Sequence, residues 1–335
     1  MTNSALSALW QRGCDLLGTE HAMMGGAMSW VSERNLVSAL SNAGAFGVIA
    51  ASSMPPHLLD EEIKATQAMT DKPFGVNLIL MHPQLDELID VCTANAVSHV
   101  VLAGGIPRSV TVAKIKQGGA KVLGFAPTVA IGKKLIKMGV DALIIEGSEA
   151  GGHIGPVSTA VLAQEILPVI KEVPVFVAGG IGRGESIVSY LEMGASGVQL
   201  GTRFVCASES IAHDNFKRLF IKSSARNAVP SVQYHPDFPV IPVRAIENKA
   251  TEEFMRFQRE TVNKVHNGAL SKQDAQLEIE HFWAGALRKA VIDGDVENGS
   301  VMAGQSVGMV QSVQSAKEIV DELVAQAAQY IEARG

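Results

Sequence analysis

The sequence predicts an α/β fold: a (β/α)8 TIM barrel with an inserted, mainly helical cap near the carboxyl end. Between residues 20 and 215 it contains eight short apolar runs, rich in Val and Ile. Runs of this kind are typical of parallel strands buried on both faces. Eight of them, alternating with helical stretches, match the rhythm of a barrel. The predicted strands are His21–Gly25, Gly47–Ala51, Phe74–Leu80, His99–Gly104, Val122–Ala126, Ala142–Glu146, Val173–Ala178 and Gly197–Gly201.

A turn motif that recurs before four of these runs supports the alternation of helix and strand. In each copy a glycine stands where a helix should end, and the next strand follows at once. A doubly wound sheet would use the same turn, so the number of strands is what favours the barrel. The copies begin at Ala43, Gly118, Met138 and Met193.

The pattern changes after about residue 213. Residues 227–243 carry four prolines, and helical segments follow at 247–266, 271–291 and 314–333. We therefore divide the chain into a barrel over 1–212, a cap or substrate-binding region over 213–304, and a segment over 305–335 that returns to the barrel.

Composition limits the class of protein. With 335 residues, 47% of them apolar, and a net charge of −6, the chain predicts no nucleic-acid partner and no membrane partner. It shows no signal peptide and no long apolar run, which predicts a cytoplasmic location. Its three cysteines form no CxxC pair and its histidines no HxxxH pair, so we expect no metal site.

Two glycine-rich segments follow the seventh and eighth predicted strands. Gly179–Gly184 contains four glycines, and Gln199, Leu200, Gly201 and Thr202 form the other segment. Barrels commonly bind a phosphate at these loops, where backbone N–H groups and a helix dipole face the anion. The alternative is that the glycines only form tight turns. The spacing does not match a Rossmann fingerprint.

His153 lies in the loop after the sixth strand, flanked by glycines. Histidine titrates near neutrality, so at the mouth of a barrel it is a candidate proton donor or acceptor. The alternative is a loop histidine that bonds a backbone carbonyl. Asn77, in the third strand, is a candidate for binding the edge of a flavin ring, because a carboxamide both donates and accepts. The alternative is that an Asn at the end of a strand only forms a turn.

Several motifs together resemble the nitronate monooxygenase-like (2-nitropropane dioxygenase) superfamily of FMN barrels. They are EGSEAGGHIG, VFVAGGI, VQLGTRFV, KPFGVNL and GSVMAGQ, and the resemblance covers about residues 20–312. The chain looks most like the flavin-dependent enoyl-acyl-carrier-protein reductases of fatty-acid biosynthesis. Ile154 follows the histidine, where many nitronate monooxygenases have Arg. The opening HAMMGGAM and the loop AGGIP depart from the family pattern.

The resemblance implies roles for specific residues. His153 matches the histidine of the active-site loop. Residues matching the FMN-binding positions are Gly25, Gly26, Ala27, Asn77, Glu146, Gly151, Gly180, Gln199, Leu200, Gly201 and Thr202.

The resemblance leaves three functions open. The first is reduction of an enoyl thioester by NADH or NADPH through FMN, on a small-molecule or acyl-carrier-protein-bound substrate. The basic residues Lys217, Arg218, Lys222 and Arg226 would then meet an acidic carrier protein, or else form a solvated helix face. The second is oxidation of alkyl nitronates with O2. The third is a barrel that binds a phosphate or nucleotide without turnover. We expect a homodimer.

Overall fold

The computed structural model describes residues 4–232 and 242–334, without the side chains at positions 280 and 284. Residues 233–241, which form the middle of the proline-bearing stretch predicted at 227–243, lie outside the described residues.

Eight parallel strands form the barrel that the sequence predicts. Their order around the barrel is β1-β9-β8-β6-β5-β4-β3-β2. The barrel closes between β1 and the residues just before β2. There the Phe46 N–H donates a hydrogen bond to the Met23 carbonyl, and the Gly25 N–H donates one to the Phe46 carbonyl, both at 2.8 Å. The barrel strands are β1 (Met23–Gly25), β2 (Val48–Ala50), β3 (Gly75–Ile79), β4 (His99–Ala103), β5 (Lys121–Phe125), β6 (Ala142–Glu146), β8 (Val175–Ala178) and β9 (Gly197–Leu200), with a two-residue strand β7 (Gly152–His153) in the loop after β6.

The predicted helix-to-strand turns are confirmed. In all four copies the glycine after the helix cap has a positive φ, between 83° and 105°. Residues with a Cβ rarely adopt this conformation, so glycine ends the helix and lets the chain return to the sheet. The glycines are Gly44, Gly119, Gly139 and Gly194.

Helices surround the barrel, and the last helix of the chain completes the ring. Seven helices connect the strands, whereas α12 (Ala316–Glu332) packs between α8 and α2. The cap is therefore inserted between β9 and its helix. Helix α1 (Ser4–Leu17) lies at the amino-terminal ends of the strands, where the Leu16 carbonyl accepts a hydrogen bond from His99. The connecting helices are α2 (Arg34–Asn42), α3 (Pro56–Met69), α4 (Leu85–Ala94), α5 (Ser109–Gln117), α6 (Val129–Lys137), α7 (Thr159–Ile166) and α8 (Gly184–Glu192).

The cap contains helices, as predicted, and also a small antiparallel sheet that the sequence did not predict. Its strands β10 and β11 pair with each other, and β11 pairs with β7 of the barrel loop. Phe254, Ile279 and Trp283 belong to a separate apolar cluster inside the cap. The cap elements are α9 (Asp214–Lys222), β10 (Ala228–Pro230), β11 (Val243–Ile246), α10 (Lys249–His266) and α11 (Lys272–Val291). None of the described helices is long and apolar enough to cross a membrane.

The interpretation of Lys217 as part of an exposed basic run is wrong. Only 6% of this residue is exposed, and its ammonium group donates hydrogen bonds to the carbonyls of Ala207 and Ser210. Burial lowers its pKa. The amphipathic helix α9 turns Lys217 inwards together with Phe216 and Phe220, so this lysine stabilises the turn after β9 and cannot contact a carrier protein.

Arg203 attaches α12 to the loop after β9. Only 2% of Arg203 is exposed. Its guanidinium group donates hydrogen bonds to the carboxylate of Glu322 at 2.8 Å and to the Gln314 side chain at 3.2 Å. We expect Arg203→Met to lower the free energy of unfolding by about 2–4 kcal/mol, because it removes buried charge-assisted hydrogen bonds.

Urea unfolding measures this loss, and Arg334→Met is the matched control. Arg334 pairs with Glu192 on the surface, where both side chains are more than 40% exposed. The control should lose no more than about 1 kcal/mol. Equal losses in the two variants would contradict an anchoring role for Arg203.

Candidate functional site

A cavity of about 270 Å³ opens at the carboxyl-terminal ends of the barrel strands. Loops from the barrel form most of its wall, and Phe216, Leu287, Met302 and Ser306 come from the cap and the segment after it. Every residue predicted from the sequence to bind FMN or to take part in catalysis, except Gly25, lines this cavity. These residues are Gly26, Ala27, Asn77, Glu146, Gly151, His153, Gly180, Gln199, Leu200, Gly201 and Thr202.

Gly25 lies behind the cavity wall, within β1. A Cβ atom at this position would lie 2.4 Å from the Leu40 side chain. The structure therefore gives Gly25 a packing role between the barrel and α2, where the close approach of Leu40 leaves no room for a side chain.

Two carboxamides line the cavity from strands that β1 and β2 separate, Asn77 from β3 and Gln199 from β9. Asn77 donates from Nδ2 to the Val101 carbonyl at 3.2 Å, which fixes the orientation of its side chain. Gln199 is 8% exposed, and its carboxamide forms no hydrogen bond with any described residue. A carboxamide offers both donors and an acceptor, so these groups can bind the polar edge of a planar heterocycle.

The two glycine loops lie side by side, after β8 and β9. Gly180 has a φ of 72°, and α8 begins at Gly184 just beyond it, so the positive end of this helix faces the loop. In the loop after β9, the Thr202 hydroxyl accepts a hydrogen bond from Gly304 N–H at 2.9 Å. Among the described residues, no Lys or Arg lines the cavity. An anion here would be bound by neutral donors and the helix dipole.

The loop that carries His153 is attached to the cap. His153 and Gly152 pair with Val243 and Arg244 of β11, and Arg244 also donates from Nε to the Ser148 carbonyl at 2.8 Å. Burial lowers the pKa of Arg244. The exposed imidazole lies at the cavity, as its position after β6 predicts. The cap therefore fixes the backbone on which this histidine stands.

Glu146, at the end of β6, is an acid whose environment is unusual. Burial raises its pKa to about 7, and the nearby charge of protonated His153 lowers it in part. Among the described residues, Glu146 and His153 are the ionisable groups that line the cavity. A carboxyl group that titrates near neutrality can hold or release a proton beside the imidazole.

We predict that Glu146→Gln stabilises the protein at alkaline pH. The folded state holds this proton up to about pH 7, whereas an unfolded glutamate loses it near its ordinary pKa of 4.5. Wild-type stability therefore falls as pH rises between these two values, and the loss is complete above pH 7. The difference in free energy of unfolding between the variant and the wild type, which we call the advantage of the variant, should therefore grow by about 2 kcal/mol from pH 5 to pH 8.5.

Urea unfolding of protein freed of bound ligands, at both pH values, measures this advantage. Exposed Glu61 provides the control, and Glu61→Gln should show no such growth. If the advantage of Glu146→Gln is the same at both pH values, the carboxyl group does not titrate as its burial implies.

Sequence reasoning missed the parts of the site that come from distant segments. Ser29 and Ser52 line the cavity and their hydroxyl oxygens lie 2.7 Å apart. Met302 lies in the tail motif GSVMAGQ, so the resemblance marked its segment but not its role. Phe216 and Leu287 belong to amphipathic cap helices, where nothing local distinguishes a cavity residue from a core residue.

Comparison with known proteins places these observations in context. The sequence model described as nitronate monooxygenase matches residues 11–326. The (3aS,4S,5R,7aS)-5-hydroxy-7a-methyl-1-oxo-octahydro-1H-indene-4-carboxyl-CoA dehydrogenase of Rhodococcus jostii (strain RHA1) is 29% identical over 342 residues, with 96% of each chain covered. A probable nitronate monooxygenase of Staphylococcus saprophyticus is 28% identical, with 81% of this chain and 90% of that protein covered.

Solved structures show the same fold. FabK from Thermotoga maritima is 32% identical, with a TM-score of 0.85 and coverage of 96% of this chain and 97% of that chain. The nitroalkane oxidase of Streptomyces ansochromogenes has a TM-score of 0.80 over 96% of this chain and 99% of that chain. Its identity is 24%, so it supports the fold alone.

Proposed function

This oxidoreductase belongs to the nitronate monooxygenase family, and from that premise we propose that it binds FMN and reduces enoyl thioesters with NADH or NADPH. The observation that carries the proposal is the shared cavity. It brings together two carboxamides, two glycine loops, an exposed histidine and a carboxyl group with a raised pKa.

The cavity suits the parts of FMN. Asn77 and Gln199 offer donors and acceptors for the polar edge of the ring, and Gly180 and Thr202 lie on the loops that would receive the phosphate. FMN, when bound, supplies the hydride transfer between the nicotinamide and the β-carbon of the substrate. The barrel fixes the orientation and excludes water.

His153 is proposed as the catalytic acid. An exposed imidazole at the cavity can donate a proton to the α-carbon of the thioester, or hold the thioester carbonyl by a hydrogen bond. Glu146 stands beside it with a pKa of about 7, so it can return a proton to the imidazole between turnovers. Pairing with β11 keeps the histidine loop in place.

One relative and two sequence features support a thioester substrate. The name of the Rhodococcus dehydrogenase specifies a carboxyl-CoA, which is a thioester, and the likeness extends over 96% of both chains. The tail GSVMAGQ and Ile154 after the histidine favour the reductase branch. Coenzyme A and acyl carrier proteins present the same reacting group, so either carrier fits the proposal.

Nitronate oxidation is the second candidate. The family match and the Staphylococcus relative, a probable nitronate monooxygenase, favour it. His153 would then bind or deprotonate a small nitro compound, and no nicotinamide would be needed. The third hypothesis, binding without turnover, loses support because these relatives are named as dehydrogenases and monooxygenases.

An anaerobic absorbance titration tests the proposal. The purified protein should show a flavin band that NADH or NADPH bleaches and that an enoyl thioester, as its CoA derivative, restores. Bleaching by an alkyl nitronate with no response to nicotinamides would favour the second candidate. A protein that neither contains nor binds a flavin would refute both.

A further inference from the structure

Ser306 is a buried residue that lines the cavity. It lies in a short 3₁₀ helix, Gln305–Met309, that follows the cap, and only 4% of the residue is exposed. Its hydroxyl forms no hydrogen bond with the residues that the structure describes. The Ser300 hydroxyl is fully enclosed without a partner, whereas Ser306 lines the cavity. A buried hydroxyl without a protein partner, on a residue that lines a cavity, is available to a bound ligand.

The segment around Ser306 lies directly on the glycine loops. A Cβ atom on Gly182, in the loop after β8, would stand 3.3 Å from the Ser306 Cβ. Two hydrogen bonds fix the residues just before it: Gly304 N–H donates to the Thr202 hydroxyl, and Gln305 N–H donates to the Glu149 carbonyl, both at 2.9 Å. Ser306 is thus held beside both loops that would receive a phosphate.

We propose that the Ser306 hydroxyl donates a hydrogen bond to the phosphate of FMN, so that the segment after the cap completes the phosphate site. This inference depends on the proposed binding of FMN. The hydroxyl matters because no Lys or Arg lines the described part of the cavity. The two guanidinium groups on these loops are engaged elsewhere, that of Arg203 with Glu322 and that of Arg183 with Glu185. Neutral donors must therefore bind the dianion.

The test compares two flavins that differ only in the phosphate. The full-length protein, freed of flavin, is titrated with FMN and with riboflavin, and quenching of flavin fluorescence gives each Kd. Ser306→Ala should weaken FMN binding by about tenfold or more, since it removes a hydrogen bond to a charged group. Riboflavin binding should change by less than about twofold, because riboflavin has no phosphate to lose. Ser306→Thr, which keeps the hydroxyl, should restore most of the FMN affinity.

Ser29→Ala provides a matched control. Ser29 also lines the cavity, but its hydroxyl already pairs with Ser52. The ratio of the two dissociation constants should stay as in the wild type. If Ser306→Ala leaves FMN binding unchanged, or weakens both flavins equally, the inference is refuted while FMN binding itself stands. If the wild type binds neither flavin, the proposed function and the inference fail together.

Discussion

His153→Ala is expected to lower kcat by about 10²- to 10⁴-fold, the contribution of a positioned acid, while FMN stays bound. The imidazole is exposed at the cavity and is not needed for the backbone pairing between β7 and β11. Its removal should therefore leave the pairing of β7 with β11 in place and take away the proton donor. Steady-state reduction of an enoyl thioester measures the effect, and the flavin spectrum reports cofactor content.

The control for this variant is another exposed histidine. His57 lies at the start of α3, outside the cavity, and His57→Ala should keep wild-type kcat and FMN content. Full activity in His153→Ala with FMN bound would remove the histidine from the mechanism. Loss of FMN together with activity would instead assign it to cofactor binding.

Gly180→Val is expected to weaken FMN binding by about 100-fold. Gly180 has a φ of 72°, and a Cβ atom there would lie 3.0 Å from the Glu149 Cβ. A β-branched residue strains this left-handed conformation by at least about 1–2 kcal/mol, and the crowding adds to it. The loop after β8 must then shift from the position in which it lines the cavity. Fluorescence titration of the flavin-free protein gives the Kd.

Gly268→Val separates backbone strain from loss of the site. Gly268 has a φ of 77°, nearly that of Gly180, but lies after α10 with open space around its Cβ position. It should lose the stability that the backbone strain alone costs, as measured by urea unfolding, and keep wild-type affinity for FMN. Similar loss of FMN in both variants would show that general destabilisation, and not the loop after β8, controls binding.

The local sequence determined the barrel and showed which loops at its mouth carry most of the site residues. Each strand lies at an apolar run, and each predicted turn glycine adopts a positive φ, because burial and backbone freedom act over a few residues. The order of strands then fixes which loops meet, since all parallel strands end at the same face. That is why Asn77, His153 and Thr202, far apart in the chain, were predicted to belong to one site and line one cavity.

The tertiary structure alone decided how the distant segments complete that site. The pairing of β7 with β11 joins His153 to a strand some 90 residues later, and two- to four-residue strands leave no periodic signal. Ser306 and the inward-facing Lys217 became distinguishable only once their neighbours were known. Gly25, an expected site residue by resemblance, does not line the cavity, and a Cβ atom there would meet Leu40. A sequence pattern reports which side of an element is buried, whereas packing decides what each buried group meets.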